Sequence, residues 1–277
     1  MALSVQSLSA KSRNSLVDNT VVLARNLSLR VALTVDVFDH FAHRTRSRPM
    51  ASSPSFLPSA QVTADGQPRF HLPVDAAHPA WAAAAAEEEA GGVSAEVRAF
   101  LDAQLGNGDV LVDLSPGFGF VALSATTAPN GMPTVFVCGL TEERMQALQD
   151  AAIDVGGWLD ELPAASLPEL ASSVEARLEP EGRVFVHADA ARLADVGAWL
   201  KPVIDAENVL AICISDAATT EAWPDVVTAL DAMGFTACCI VEQDGELMVM
   251  PLDEAPTTPV IAMPTVLVGS DPTEDSA

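Results

Sequence analysis

Basic residues are scarce in this 277-residue chain, which has 14 Lys and Arg against 38 Asp and Glu and a formal net charge of −24. Seven of the basic and three of the acidic residues lie within residues 1–50, which leaves seven basic and 35 acidic residues for the remainder. Nucleic-acid binding requires clustered Lys or Arg to contact the phosphates. We therefore expect no nucleic-acid partner. Solubility or a salt-adapted surface is a sufficient reason for the acidity.

Cysteine is scarce as well, and no two of the four residues have the C-x-x-C spacing of redox or zinc motifs. Each lies in an apolar, strand-like stretch, which predicts buried thiols without disulfides and suits a reducing compartment. They are Cys138, Cys213, Cys238 and Cys239. Histidines and cysteines nowhere cluster at metal-ligand spacing, so the sequence predicts no metal site. It also contains no P-loop and no G-x-S-x-G motif.

The apolar start of the chain has neither the uninterrupted length of a membrane span nor the cleavage site of a secretory signal. Its most apolar run, residues 21–37, is broken by Arg25 and Arg30. We therefore expect a cytoplasmic protein, with peripheral attachment to a membrane as an open alternative.

Residues 13–46 contain no glycine or proline and predict one long amphipathic helix. Apolar side chains at spacings of three and four form a stripe on one face. A stripe of this length needs a partner surface, and basic residues beside it suit an acidic protein or anionic lipids. The expected interaction residues are Leu16, Leu23, Leu27, Val31, Phe38 and Phe41. Packing of the stripe back onto the protein's own helices is the alternative.

Four regions follow from the distribution of proline, glycine and charge. Residues 1–48 are the helical segment, and residues 49–92 are a Pro/Ala-rich linker or a strap along a surface. Residues 93–251 alternate apolar strands with helices, one of which we expect Thr141 to cap. An acidic, Pro/Thr-rich tail, 252–277, ends the chain.

The alternation within residues 93–251 predicts an α/β fold with a Rossmann-like, doubly wound and mostly parallel sheet. Two β-rich stretches around Asp244 and Gly245 predict an antiparallel hairpin at its C-terminal end. Ligands of such sheets bind outside the carboxyl ends of the strands, where the strand order reverses. The loop after the first strand of the domain is therefore the place to look for a site.

That loop reads Asp113-Leu114-Ser115-Pro116-Gly117-Phe118-Gly119. A strand ending in Asp, a glycine-containing turn and a helix resemble the first motif of S-adenosylmethionine-dependent methyltransferases, most closely the FkbM-type family with its D-x-G-A-N-x-G. Later stretches resemble the same family in the same order: residues 159–162, 184–191 and 230–249. The resemblance implies a cofactor site at Asp113, Ser115, Gly117 and Gly119.

Each motif also departs from the family pattern. Ser115 stands where the family has a glycine that permits positive φ and close approach of the backbone to the ligand, and a side chain resists both. Pro116 removes a backbone N–H. The strand ending at Cys138 lacks the acid that would bind the ribose hydroxyls, and Glu142 is the nearest carboxylate. The short stretch before residue 159 predicts that a helix and a strand of the family are missing. We therefore expect no cofactor and no catalytic residues, with S-adenosylmethionine as the alternative.

Individual side chains leave two interpretations open. Asp113 could contact a ligand or cap the next helix. His187 and Asp189 could form a general-base pair or serve only to hold a strand end and a helix start.

Two functions from different classes remain. The first is a non-catalytic interaction subunit. Its N-terminal helix, Pro-rich strap and C-terminal tail would hold a degenerate methyltransferase-like domain in a larger, membrane-extrinsic assembly, such as an energy-transducing or photosynthetic one. Its partners would be protein subunits, a membrane surface or both. The second is an active O-methyltransferase acting on a sugar or small metabolite.

Overall fold

The computed structural model describes residues 55–63, 65–74, 81–89, 95–162, 164–217, 221–243, 246–252 and 254–268. The helix predicted for residues 13–46 lies outside them, with the proposed interaction residues Leu16, Leu23, Leu27, Val31, Phe38 and Phe41. Among the described residues, no helix is long and apolar enough to cross a membrane.

A twisted sheet of eight strands forms the centre of the domain, in the order β5-β4-β3-β6-β7-β10-β8-β9. The first five strands in this order are mutually parallel, which confirms the predicted doubly wound fold. The bounds are β3 Val110–Asp113, β4 Thr134–Cys138, β5 Asp160–Leu162, β6 Val184–Ala188, β7 Val209–Ile214, β8 Phe235–Gln243, β9 Glu246–Pro251 and β10 Val260–Pro264. Strands β8 and β9 form the predicted hairpin at one edge.

Helices cover both faces of the sheet because its parallel strands are apolar on both sides. One buried cluster joins the sheet to α2, α3 and α4, and the other joins it to α5, α6 and α7. The helices are α1 Trp81–Glu89, α2 Ala95–Gln104, α3 Phe120–Thr126, α4 Glu142–Asp154, α5 Leu170–Glu175, α6 Leu193–Asp205, α7 Trp223–Ala232 and α8 Thr265–Val268. Thr141 caps α4, as predicted, by accepting a hydrogen bond from the Arg144 N–H at 3.3 Å.

Strand β10 comes from the stretch that the sequence analysis placed in the tail. It lies between β7 and β8 and is antiparallel to both. Val260, Ile261 and Ala262 are fully buried there. The domain therefore extends past residue 251. Strand β10 follows the hairpin in the sequence but occupies a central place in the sheet.

The Pro-rich stretch contributes to the core. Its strands β1 (Ser55–Pro58) and β2 (His71–Val74) pair as a small antiparallel sheet. Leu57, Phe70 and Leu72 from this stretch are buried with the helices on one face of the main sheet. Strand β5 likewise supplies the third parallel strand that the sequence analysis expected to be missing.

Candidate functional site

The candidate site lies at the carboxyl ends of β3, β6 and β7. Strand β3 has β4 on one side and β6 on the other, so the chain reverses its winding direction between β3 and β6. Such a switch point opens a crevice for ligands between the two neighbouring loops. The predicted motif, from Asp113 to Gly119, forms the first of these loops.

Two glycines give the β3–α3 loop its shape. Gly117 has φ of 51° and Gly119 has φ of 91°, both in the left-handed region. A Cβ on Gly119 would stand 2.4 Å from the Leu148 side chain on α4, so a larger residue there would force Leu148 to shift. A Cβ on Gly117 would meet nothing within 4 Å, which leaves this part of the loop backbone open for a ligand to approach.

Ser115 does not obstruct the loop in the way the sequence analysis expected. Among the described residues, Glu207 is the only non-glycine with positive φ, so Ser115 adopts an ordinary backbone conformation. Its hydroxyl accepts a hydrogen bond from the Asp189 N–H at 2.9 Å and thereby links the loops after β3 and β6. The glycine-to-serine change therefore introduces no backbone strain.

Asp113 ends β3 with its side chain fully buried, at 0% exposure. Its Oδ1 accepts from the Ser115 N–H at 3.2 Å and lies 2.8 Å from Nδ1 of His187. Its Oδ2 is buried and has no hydrogen-bond partner. A buried carboxylate oxygen without a donor costs free energy, and a ligand with an N–H or O–H group would satisfy it.

His187 pairs with Asp113 rather than with Asp189, which sequence reasoning had suggested as its partner. Its other ring nitrogen, Nε2, lies 2.5 Å from the hydroxyl of Ser215, a residue that the sequence analysis did not single out. Asp113 and His187 are register partners on β3 and β6, and Ser215 directly follows β7. Burial lowers the pKa of His187, but Asp113, Asp189 and Asp216 together raise it above its ordinary value of 6.5.

Strand β4 ends without an acidic side chain. Gly139 and Leu140 follow the strand, and Glu142 lies exposed in the first turn of α4. The Arg192 guanidinium approaches this position, with Nη2 3.9 Å from where a Cβ on Gly139 would stand. The residues present therefore fit a ligand at the β3 loop better than at the end of β4.

All four cysteines are free, which confirms the prediction of unbridged thiols. Burial raises the pKa of Cys138 to about 12 and that of Cys238 to about 11, so both are inert thiols at neutral pH. Among the residues that the structure describes, no group of three His, Cys, Asp or Glu side chains could hold a metal ion.

Neither a protein-family model nor a curated protein sequence matches the chain. Solved structures with a similar fold include the precorrin-6y C5,15-methyltransferase of Geobacter metallireducens, at 20% identity and a TM-score of 0.36 over 60% of this chain and 84% of that one. An rRNA methylase of Streptococcus thermophilus shares 17% identity at a TM-score of 0.38, covering 61% of this chain and 92% of that one.

A putative tRNA (m1A22) methyltransferase of Streptococcus pneumoniae, solved in complex with S-adenosyl-L-methionine, shares 10% identity at a TM-score of 0.37 over 61% of this chain and 72% of that one. Likenesses of this degree concern the fold alone. The expectation of no cofactor is corrected by these findings, because one of the similar structures was solved in complex with S-adenosyl-L-methionine. One of its physical reasons fails as well, because the left-handed conformations of the loop belong to Gly117 and Gly119 and not to Ser115.

Proposed function

We propose that residues 54–268 form a methyltransferase-like domain that binds S-adenosylmethionine at the β3 loop. The observation that carries the proposal is the buried Oδ2 of Asp113, which has no donor, at the strand end that leads into the open glycine turn at Gly117. S-adenosylmethionine carries an ammonium group and a sulfonium cation. A carboxylate oxygen that only accepts hydrogen bonds suits the first, and the negative charge of the site suits both.

The same charges disfavour a dinucleotide. Asp113, Asp189 and Asp216 lie around His187 at the switch point, where they would repel a pyrophosphate. Pro116 also removes one of the backbone N–H groups that a phosphate-binding loop uses. The strand order supports the distinction, since an antiparallel strand separates β7 from β8 where a dinucleotide-binding sheet continues with parallel strands.

Titration calorimetry of the full chain with S-adenosylmethionine tests this proposal. The acid missing after β4 removes one charged hydrogen bond, which weakens binding on the order of 10- to 100-fold relative to a micromolar site. We expect a dissociation constant of tens to about a hundred micromolar. The Gly117→Ala variant should bind at least about 10-fold more weakly, because a left-handed alanine is strained and its methyl group occupies the open face of the turn.

Gly66→Ala is the matched control. Gly66 also has positive φ, at 78°, and a Cβ there would also meet nothing within 4 Å, but it lies in the turn between β1 and β2. Both variants should lose similar stability, and only Gly117→Ala should lose binding. Absence of any binding heat with the full chain at millimolar ligand would refute the proposed site.

A non-catalytic role in a larger assembly is the second proposal, and it rests on the amphipathic pattern of residues 13–46. The FkbM-type resemblance and an O-methyltransferase activity belong to the first proposal and lose support if the cofactor does not bind. Attachment to a protein complex or a membrane surface could accompany either.

Deleting residues 1–53 separates attachment from folding. A chain that starts at Pro54 keeps the buried residues of β1 and β2, whereas a start near residue 94 would remove them. We expect the shortened chain to melt within about 2 °C of the full chain and to leave the membrane or complex fraction on sedimentation. A melting temperature lower by ten degrees or more would place the N-terminal stripe in the core and contradict the attachment proposal.

A further inference from the structure

Asp113, His187 and Ser215 form a continuous series of hydrogen bonds at the carboxyl ends of the parallel strands. Asp113 Oδ1 lies 2.8 Å from Nδ1 of His187, and Nε2 of His187 lies 2.5 Å from Oγ of Ser215. Asp113 and His187 are buried, at 0% and 4% exposure, and Ser215 is half-buried at the end of β7. The series therefore runs from a buried carboxylate, through a buried imidazole, to the half-buried hydroxyl of Ser215.

The register of the sheet places the three residues side by side. Asp113 pairs with His187 across β3 and β6, and His187 pairs with Cys213 across β6 and β7. Side chains two residues apart share a face of a strand, so Ser215 continues on the face of Cys213. Two adjacent strands thus hold Asp113 and His187, and the turn that follows a third holds Ser215.

The carboxylate of Asp113 decides which atoms donate and which accept in this series of hydrogen bonds. An ionised carboxylate only accepts, so Nδ1 of a neutral His187 carries the hydrogen and Nε2 is left to accept from the Ser215 O–H. This is the arrangement in which a histidine removes a proton from a serine hydroxyl while a carboxylate orients the imidazole. We propose that Ser215 is an activated nucleophile for acyl transfer, with His187 as its general base and Asp113 as the positioning residue.

The proposed step balances as follows. Ser215 Oγ attacks the carbonyl carbon of an ester while its proton moves to His187 Nε2. The C–O bond to the alcohol then breaks, and the alcohol leaves with that proton, giving an acyl-serine. Water, deprotonated by the same nitrogen, attacks the acyl-serine, which releases the carboxylic acid and restores the Ser215 hydroxyl.

The charge around Ser215 selects the substrate class. Asp189 and Asp216 follow β6 and β7, and burial together with the charge of Asp216 raises the pKa of Asp189. Asp216 Oδ1 accepts from the Ala190 N–H at 2.7 Å, so this carboxylate is fixed at the site. Carboxylates at this edge repel anions, which restricts the acyl donor to a neutral or cationic ester.

Covalent labelling of the full-length protein with an uncharged alkyl fluorophosphonate tests the proposal. In this reaction Ser215 Oγ bonds to phosphorus, fluoride leaves and His187 takes the proton. Peptide mass spectrometry should find the phosphonyl group on Ser215, and Ser215→Ala should remove it. His187→Gln and Asp113→Asn should each slow labelling by at least about 100-fold. Ser173→Ala, a surface serine whose hydroxyl donates only to the Glu169 carbonyl, should label normally.

The pH profile separates an activated serine from a structural one. The neutral imidazole is the base, so the labelling rate should rise as pH increases through the pKa of His187, which Asp113, Asp189 and Asp216 hold above 6.5. Melting curves show whether each variant remains folded, and a folded Asp189→Asn variant should move the profile to lower pH. A folded full chain that stays unlabelled at pH 9, or that labels equally well as His187→Gln, would overturn the proposal. The labelling experiments contain no S-adenosylmethionine, so both of these outcomes are independent of whether the cofactor binds.

Discussion

A chain that ends after Pro251 should fail to fold, although it retains seven of the eight strands of the main sheet. It loses β10, whose Val260 and Ile261 are fully buried between the two helical layers. Burial of such side chains contributes about 1.5–3 kcal/mol each, and the strand also forms ladders with both β7 and β8. The free energy of unfolding of a domain of this size is only about 5–15 kcal/mol, so these losses together are large enough to unfold it.

Circular dichroism and thermal melting check this expectation. The shortened chain should show no cooperative transition and a largely unfolded spectrum. A chain ending at Val268 keeps every strand and is the control, with the melting temperature of the full chain. A cooperative melt of the chain ending at Pro251 would show that β7 and β8 can pair without β10, contrary to the structure.

Substitution of Arg98 by Met should destabilise the protein by about 3–5 kcal/mol. Arg98 on α2 donates to Glu88 on α1 at 3.1 Å, and the two side chains are 0% and 1% exposed. Glu88 also accepts from the Ala60 N–H at 2.6 Å and so ties the segment after β1 to this ion pair. Removal of the arginine takes a positive charge away from a buried carboxylate, which is costly at this depth.

Urea denaturation of three variants checks the size of this effect and its cause. The double variant Arg98→Met with Glu88→Leu should recover part of the lost stability, because the buried carboxylate that lost the Arg98 charge is then gone, although the Ala60 N–H loses its acceptor. Lys201→Met is the control: its partner Asp205 lies 2.9 Å away on the exposed face of α6, and loss of this pair should cost less than about 0.5 kcal/mol. Equal losses for Arg98→Met and Lys201→Met would contradict the burial of the first pair.

The parallel half of the sheet could be predicted from the sequence because each strand is a short apolar run bounded by turn residues. Strand β10 could not be predicted in this way. Its five residues lie between Pro259 and Thr265 in an acidic stretch rich in Pro and Thr, and this local composition favours a tail. Its place depends on pairing with Ile214 and Cys238, partners that only the folded sheet brings together.

The candidate site, too, could be predicted from the sequence only in part. Asp113 and the two glycines were predictable from the motif, because a strand end, a turn and a helix start are consecutive in the chain. The contact of His187 with Ser215 spans 28 residues and depends on the register of β6 against β7. The expected obstruction by Ser115 is wrong for a related reason. The sequence shows a serine in place of a glycine, but it does not show that the left-handed conformations of the loop belong to Gly117 and Gly119.

The position of β10 also has a consequence for the order of events during synthesis. Strand β8 leaves the ribosome before β10, yet it has no direct pairing with β7, and the two become neighbours of one sheet only through a strand made later. Until about residue 264 has emerged, the β8–β9 hairpin can form but cannot join the parallel strands. The nascent chain therefore exposes an open edge on β7 for that interval, and the last cooperative step of folding must follow translation of nearly the whole domain.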